Sequence, residues 1–226
     1  IIGLGYVGLP LALMFSKKYR VFGFDVDGRK IESLRSGRSY ILDVDDEEIK
    51  KAIGGNLKVS NDEKIIKSCD VYIITVPTPL KENGDPDMDY VISAGKTVSK
   101  HLDRGKMVVL ESTVYPGATQ EVLVPILNES GLVAGEDYAV VFSPERVTPG
   151  NKKYTVERTP KVVGGINSES TRLAVKLYSS VLMAKVVPVK DCKTAEAVKV
   201  LENAFRFINI SFINEMALIF ENMGID

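Results

Sequence analysis

Short apolar runs recur along the chain, each closed by glycine, proline or polar turn residues. Val21-Phe22-Gly23-Phe24, Val71-Tyr72-Ile73-Ile74-Thr75-Val76, Met107-Val108-Val109-Leu110 and Tyr138-Ala139-Val140-Val141-Phe142 have the length and content of strands covered on both faces. Lys161-Val162-Val163-Gly164 and Ala184-Lys185-Val186-Val187 are weaker versions of the same pattern. Between these runs, apolar residues fall at helical spacing over about 9–18, 29–36, 90–102, 118–130 and 168–180. Strands alternating with helices predict an α/β fold, a doubly wound and mostly parallel sheet with helices on both faces.

The last stretch has a different pattern. Residues 193–223 contain no proline or glycine, and helical spacing continues throughout. Phe205, Phe207, Ile208, Ile210, Phe212, Ile213, Met216, Leu218, Ile219 and Phe220 leave few sides without an apolar residue. Such a helix is expected to be buried on nearly every side, which a chain of 226 residues can hardly achieve alone. The pattern predicts a cofactor-type domain over 1–190. Over 191–226 it predicts part of a second domain or a dimer interface.

Composition narrows the class. Hydrophobic residues make up 45% and charged residues 26%, enough apolar material for a core and against disorder. The formal net charge of -1 leaves no excess of cations for a nucleic-acid backbone. No apolar run approaches the roughly 18 residues of a membrane span. Cys69 and Cys192 stand alone, and His101 is the single histidine. Zinc sites draw on several such ligands, so no metal site is expected. His101 is expected as a solvated residue at the end of a helix, and the isolated cysteines fit a reducing cytoplasm.

The candidate chemistry begins at the amino end. Gly3-Leu4-Gly5-Tyr6-Val7-Gly8 is a GxGxxG that follows a strand stub and opens a helix. Gly3 permits the turn, Gly5 lets the backbone approach a pyrophosphate, and Gly8 allows close helix–strand packing. Asp25 ends the next strand, 22 residues after Gly3. A carboxylate there accepts from ribose hydroxyls and repels a 2′-phosphate, which favours NAD over NADP. Arg29 and Lys30 follow, either as adenine-side contacts or as an exposed first helical turn.

Three loops lie after strands, where doubly wound folds bind ligands. They are Val76-Pro77-Thr78-Pro79, the segment from Glu111-Ser112-Thr113 through Pro116-Gly117-Ala118-Thr119, and Ser143-Pro144-Glu145-Arg146-Val147-Thr148-Pro149-Gly150. On the long helix, Glu196, Lys199, Asn203 and Arg206 are spaced i, i+3, i+7 and i+10 and form one narrow polar stripe. These residues either pair among themselves or face a polar ligand. In the second case Lys199 has the chemistry of an acid, base or oxyanion stabiliser, Asn203 of a donor to the same oxygen, and Arg206 of an anion clamp.

Taken in order, these motifs resemble the UDP-glucose/GDP-mannose dehydrogenase family. They are Gly3 to Pro10, Val76 to Pro79, Glu111 to Thr113 with Pro116-Gly117, Ser143 to Arg146 with Pro149-Gly150, and Lys199 to Arg206 with Asn209-Ile210 and Asn214-Glu215. The resemblance implies a Rossmann-like NAD-binding domain, a central helical dimerisation domain and a C-terminal nucleotide-sugar domain. It implies oxidation of the C6 primary alcohol of a nucleotide sugar to a carboxylate, with two NAD and a covalent cysteine intermediate, in polysaccharide precursor synthesis. By this resemblance Tyr6, Val7, Asp25, Lys30, Thr78 and Thr119 contact NAD. Thr113 and Glu145 sit near the reacting C6, with Glu145 assisting proton transfer through water. Arg146, Val147, Lys199, Asn203 and Arg206 face the UDP-sugar, and Lys199 with Asn203 stabilises the developing alkoxide and oxyanion.

Two departures qualify the match. Relatives acting on UDP-glucose commonly carry a second glutamate four residues after the first, and Pro149 stands there. The resemblance therefore leans toward UDP-N-acetylglucosamine or UDP-N-acetylmannosamine as substrate. The family's cysteine lies in a glycine-rich loop beyond the Lys199 helix, and Cys192 precedes that helix. An N-terminal piece that stalls before the thioester step is the corresponding expectation. Three other readings remain: a UDP-glucose 6-dehydrogenase, a β-hydroxyacid dehydrogenase with its own Lys-x-x-x-Asn pair, and a module that only binds NAD and dimerises.

Overall fold

The computed structural model describes residues 1–146 and 156–225; Val147, Pro149 and Gly150 lie outside the described residues. Among the described residues, seven strands run in chain order: β1 (Val21–Phe24), β2 (Leu57–Ser60), β3 (Val71–Ile74), β4 (Met107–Leu110), β5 (Ala139–Phe142), β6 (Lys161–Gly165) and β7 (Val186–Pro188). The helices are α1 (Gly8–Ser16), α2 (Gly28–Arg35), α3 (Asp46–Ile53), α4 (Asp89–Ser99), α5 (Val124–Asn128), α6 (Ser168–Ser179) and α7 (Cys192–Asn222).

The amino end is the keystone of the sheet. Ile2 bridges Phe24 on one side and Ile74 on the other, both in parallel. Its N–H donates to the Ile73 carbonyl, and the Thr75 N–H donates back to Ile2. This joins the β1–β2 pair to the five-stranded run β3-β4-β5-β6-β7. All pairs are parallel except β5–β6, which is antiparallel. β3, β4 and β5 are nearly or wholly buried, as strands flanked by helices on both faces must be. Apolar side chains on the two faces form two core clusters, one around Leu4, Leu11, Ile31 and Tyr178, the other around Tyr72, Val91, Val108 and Phe142.

Several elements differ from the periodicity. α3 and β2 were not expected. α3 buries a single residue, Ile49, and β2 is an edge strand with alternating burial, so neither carries a sustained apolar run. The single helix expected over 118–130 is a π turn, Thr119–Leu123, that continues into α5. Pro125 lacks the N–H that an α-helix would direct at residue 121, and the wider turn accommodates its ring. His101 is not solvated as expected. It lies just past α4, half-buried, with Nε2 buried and unpartnered among the described residues. Its carbonyl accepts from Tyr72 Oη and Lys106 Nζ.

α7 is seated by its first turns. Asp191 caps it by accepting from the Thr194 N–H at 2.8 Å. Only its first turns are buried, through Cys192, Ala195 and Glu196. Beyond residue 200 the apolar residues stand in solvent, with Phe207 73% exposed. A continuous exposed apolar surface of this kind exceeds what single soluble chains usually carry. Among the described residues, no helix is long and apolar enough to cross a membrane.

Candidate active site

The glycine loop is built for close approach. Gly3 has φ +90, a conformation that side chains resist. A Cβ on Gly8 would lie 1.9 Å from the Gly3 carbonyl oxygen, so only glycine lets α1 start this close to the strand. A Cβ on Gly5 meets nothing within 4 Å, so the backbone there faces open space. No side chain caps α1, whose first N–H groups form an anion site. These features fit a dinucleotide pyrophosphate. Tyr6 stands beside it, 61% exposed, and Val7 is the N-cap.

Asp25 holds this loop together. It is 6% exposed. Its Oδ2 accepts from the Leu4 N–H at 2.8 Å and from Lys30 Nζ at 3.0 Å, and its Oδ1 accepts from the Asp27 N–H at 2.9 Å. A carboxylate has about four acceptor positions, so capacity remains for a ribose hydroxyl. Arg29 instead turns back on Asp27 and holds that carboxyl down to about 2. It is the exposed first-turn residue of the two alternatives.

The loops after β3 and β4 are stapled to each other. Thr78 Oγ1 donates to the Thr113 carbonyl at 2.6 Å, and Ser112 Oγ donates to the Val76 carbonyl at 2.7 Å. Thr113 itself is exposed at the carboxyl end of β4. Farther along, Glu196 reaches in from α7. Its carboxylate accepts from the Gly117 N–H, from the Thr119 N–H at 2.8 Å and from Thr119 Oγ1 at 2.6 Å. Glu196 and Thr119 are both 0% exposed. A buried anion thus satisfies the start of the Thr119 turn, a task usually left to a local serine or threonine. Thr119 is committed to Glu196 through both its N–H and its hydroxyl.

The polar stripe on α7 therefore splits. Glu196 fixes the loop, and the residues above it line the end of the sheet. Lys199 Nζ donates to the Glu145 carbonyl. Burial lowers the Lys199 pKa below the usual lysine range. Arg206 and Lys161 push the same way, and Glu145 and Glu202 oppose them. Arg146 is bound to Glu202 through Nε at 2.9 Å and through Nη2, while its Nη1 donates to the Pro160 carbonyl. Asn203 and Arg206 are exposed one and two turns along. Arg146, Thr159, Glu202, Phe205, Arg206, Asn209 and Ile210 line a cleft of about 430 Å³. Lys199, Glu145, Arg146 and Arg206 are thus gathered at one end of the sheet. Thr119 and Asp25 are held in other networks.

Lys161 and Tyr178 were missed by motif reading, and Glu111 stood in a motif without a role of its own. Lys161 opens β6 and is buried between two carboxylates, with Nζ 2.6 Å from Glu111 Oε2 and 3.3 Å from Glu145 Oε2. Tyr178 Oη donates to the other oxygen of Glu111. Burial works to lower the Lys161 pKa, but the two carboxylates outweigh it and the pKa is raised. Burial raises that of Glu111. For Lys161 the sequence signal was a lysine opening an otherwise apolar strand.

Cys192 is unsuited to nucleophilic work. Its Sγ donates to the Gly164 carbonyl at 3.3 Å. Burial, with Glu196 nearby, pushes its thiol up to about 12.

Comparison with known proteins gives one consistent result. The family profile described as UDP-glucose/GDP-mannose dehydrogenase family, NAD binding domain, matches residues 1–182, and that of the central domain of the same family matches 193–226. A UDP-N-acetyl-D-glucosamine 6-dehydrogenase of Pseudomonas aeruginosa is 44% identical over 227 residues, covering 100% of this chain and 53% of that protein. The solved structure of a UDP-D-ManNAc dehydrogenase from Pyrococcus horikoshii superposes with a TM-score of 0.93 at 37% identity, over 100% of this chain and 54% of that one. A ternary complex of GDP-mannose dehydrogenase from Pseudomonas aeruginosa gives 0.91 at 29% identity, over 100% and 53%. The chain spans about half the length of the curated relatives it matches.

Two outcomes are expected from this geometry. Glu196→Ala strands two buried N–H groups and a buried hydroxyl, and should lower stability by about 3 kcal/mol in urea unfolding. A loss below about 1 kcal/mol would mean that solvent replaces the carboxylate. Asp25→Ala, with an intact circular dichroism spectrum, should weaken NAD binding at least about tenfold in calorimetric titration. Unchanged affinity would remove Asp25 from the cofactor site.

Proposed function

The chain belongs to the UDP-glucose/GDP-mannose dehydrogenase family and carries its NAD-binding domain, and from that premise we propose that the whole protein is an NAD-dependent nucleotide-sugar 6-dehydrogenase. Its substrate is a UDP-N-acetylhexosamine of the glucosamine or mannosamine type. The C6 primary alcohol is oxidised to the uronate in two hydride transfers, supplying a precursor for polysaccharide synthesis in the cytoplasm. The observation that carries this reading is the apposition of Lys199 and Glu145 at the carboxyl end of the sheet, beside a cleft lined by Arg146 and Arg206. The choice of an N-acetylhexosamine is supported by the names of the relatives and by Pro149 in place of a second glutamate.

Each residue has a proposed task. The Gly3–Gly8 loop and the start of α1 hold the pyrophosphate, and Asp25 with Lys30 closes the adenosine side. Thr78 and Thr113, joined by their hydrogen bond, form the floor between cofactor and sugar. Bound NAD supplies the hydride acceptor. Lys199, lowered by burial, meets the C6 oxygen as its charge develops, with Asn203 as second donor. Glu145 handles the proton through water. Arg206 holds a phosphate at the cleft, and Arg146 joins it once released from Glu202. Thr119 supports this site through Glu196.

The division falls near residue 190, with α7 opening the helical domain. A second copy of the chain covers the exposed apolar side of α7, which is supported by its Phe and Ile content and by the cost of leaving it in water.

Two measurements test these readings. The full-length protein given UDP-N-acetylglucosamine or UDP-N-acetylmannosamine should form two NADH per uronate, read by absorbance and mass spectrometry. One NADH per sugar, or no uronate, would overturn the reaction. Light scattering should give the mass of a dimer, and a stable monomer would overturn the role given to α7.

A further inference from the structure

The least expected feature of the sheet end is a buried charge set. Lys161 enters at the first residue of β6, at a strand position where an apolar side chain would be usual. Its side chain is 5% exposed, and that of Glu111, at the end of β4, is 0% exposed. Burying two full charges costs several kcal/mol, and an apolar pair of similar volume is often as stable. A pair kept in such a place invites a reason beyond stability.

The surroundings supply one. Lys161 is fixed by more than its ion pair. Its ammonium lies 5.3 Å from the centre of the Tyr178 ring, and the Tyr178 hydroxyl donates to Glu111. Tyr178 is wholly buried and packs edge-on against Phe15 at 5.9 Å. Burial and Glu111 raise the Tyr178 pKa well above its ordinary value, so it stays a donor. Ser143, at the carboxyl end of β5, is tied to β6 through the Val162 carbonyl at 2.8 Å. The ammonium therefore has a defined position, and its remaining reach is toward Glu145 Oε2. The other Glu145 oxygen accepts from the Arg146 N–H at 2.6 Å.

Charges alternate across the set. Glu111 on β4, Lys161 on β6, Glu145 after β5 and Lys199 on α7 run minus, plus, minus, plus, with Glu202 and Arg206 acting on Lys199 from its own helix. Glu145 thus meets the Lys161 ammonium at its carboxylate and the Lys199 ammonium at its main-chain carbonyl.

We propose that Lys161 is a positioning residue of this reaction, holding the Glu145 carboxylate ionised and in place beside Lys199 while Glu111 and Tyr178 hold Lys161. The proposal rests on the reading of Glu145 as the proton-handling group. No bond changes at Lys161. As the hydride leaves C6 for NAD, the C6 hydroxyl proton passes through a water molecule to Glu145 and from there to solvent, and Lys161 sets the pH range in which the Glu145 carboxylate can accept it.

Two variants push in opposite directions. In Lys161→Met, Glu111 and Glu145 face each other without a cation, and the carboxylates resist ionising together. The acid limb of kcat/KM should move up by about one pH unit or more. In Glu111→Gln, the amide oxygen still accepts from Lys161, the amide N–H turns to the Tyr178 oxygen, and the ammonium serves Glu145 alone. The acid limb should move down, with KM for the UDP-sugar little changed. A purely structural role would lower the melting temperature and leave the limb where it is, and that result would overturn the proposal. If Lys161→Met fails to fold, Glu111→Gln decides by itself.

A second readout needs no turnover. Carbon-13 NMR of glutamate-labelled protein, with the Glu145 signal assigned from Glu145→Gln, should show the Glu145 midpoint rising in Lys161→Met and falling in Glu111→Gln. An unmoved midpoint overturns the proposal even in an active enzyme. Wild-type protein that makes no uronate overturns the dehydrogenase reading instead, and the NMR arm still decides whether Lys161 controls Glu145.

Discussion

One carboxylate on the first turns of α7 joins the two halves of the site. Glu196 leaves its own helix and satisfies the backbone at Gly117 and Thr119, on the loop that follows β4. A local cap at that turn would have left α7 free to sit elsewhere. Because the cap comes from α7, the loop cannot form without the helix, nor the helix seat without the loop. The position of Lys199, three residues on, follows from this contact, since one helical turn carries it to the Glu145 carbonyl. Glu202 then meets Arg146, just after β5. The geometry of the proposed chemistry is thus inherited from a capping interaction.

The amino end works under a comparable constraint. Ile2 pairs on both sides, so the strand stub is the centre of the sheet. The glycine loop leaves that centre directly, and Asp25 ties it to the neighbouring strand through the Leu4 N–H. Hydrogen bonds to Asp25 and Thr75 thus hold the loop in shape with no ligand present. A preformed anion site loses less entropy on binding than one that must first be ordered.

Much of this was legible in the chain, and the reasons are local. A GxGxxG, a buried strand and a helix cap are each written within a few residues, so Gly3, Gly5, Gly8, β3, β4 and β5 could be placed from the order of residues alone. The motif after β5 also pointed to Glu145, and the polar stripe on α7 to Lys199. What stayed hidden is long-range. Lys161 and Glu111 are 50 residues apart, and Glu196 is 77 from Thr119. Neither pairing leaves a periodic trace. The antiparallel turn of β6 was hidden because its composition suits either direction. α3 and β2 carry too few buried residues to form a pattern. The stripe on α7 was visible, but not its division into a buried cap and an exposed cleft wall. Spacing tells which residues share a face, not how deep each part of that face lies.

The exposed part of α7 and the cleft are one problem. Phe205, Arg206, Asn209 and Ile210 line the cleft, and they belong to the stretch of helix whose apolar residues stand in solvent. Whatever covers that stretch must also border the cleft. In the proposed dimer the second copy would therefore do more than remove Phe207 and Ile208 from water. It would raise the wall of the sugar site, lower the local dielectric around Arg206, and strengthen every charge interaction there. The pairing of Arg146 with Glu202 acquires a meaning in that setting. In an open cleft, a partly exposed ion pair gains little. In a closed one, an arginine already desolvated beside its carboxylate can exchange it for a phosphate without first losing its water. Oligomer formation and substrate recognition then depend on the same helix, whose seat is set by Glu196.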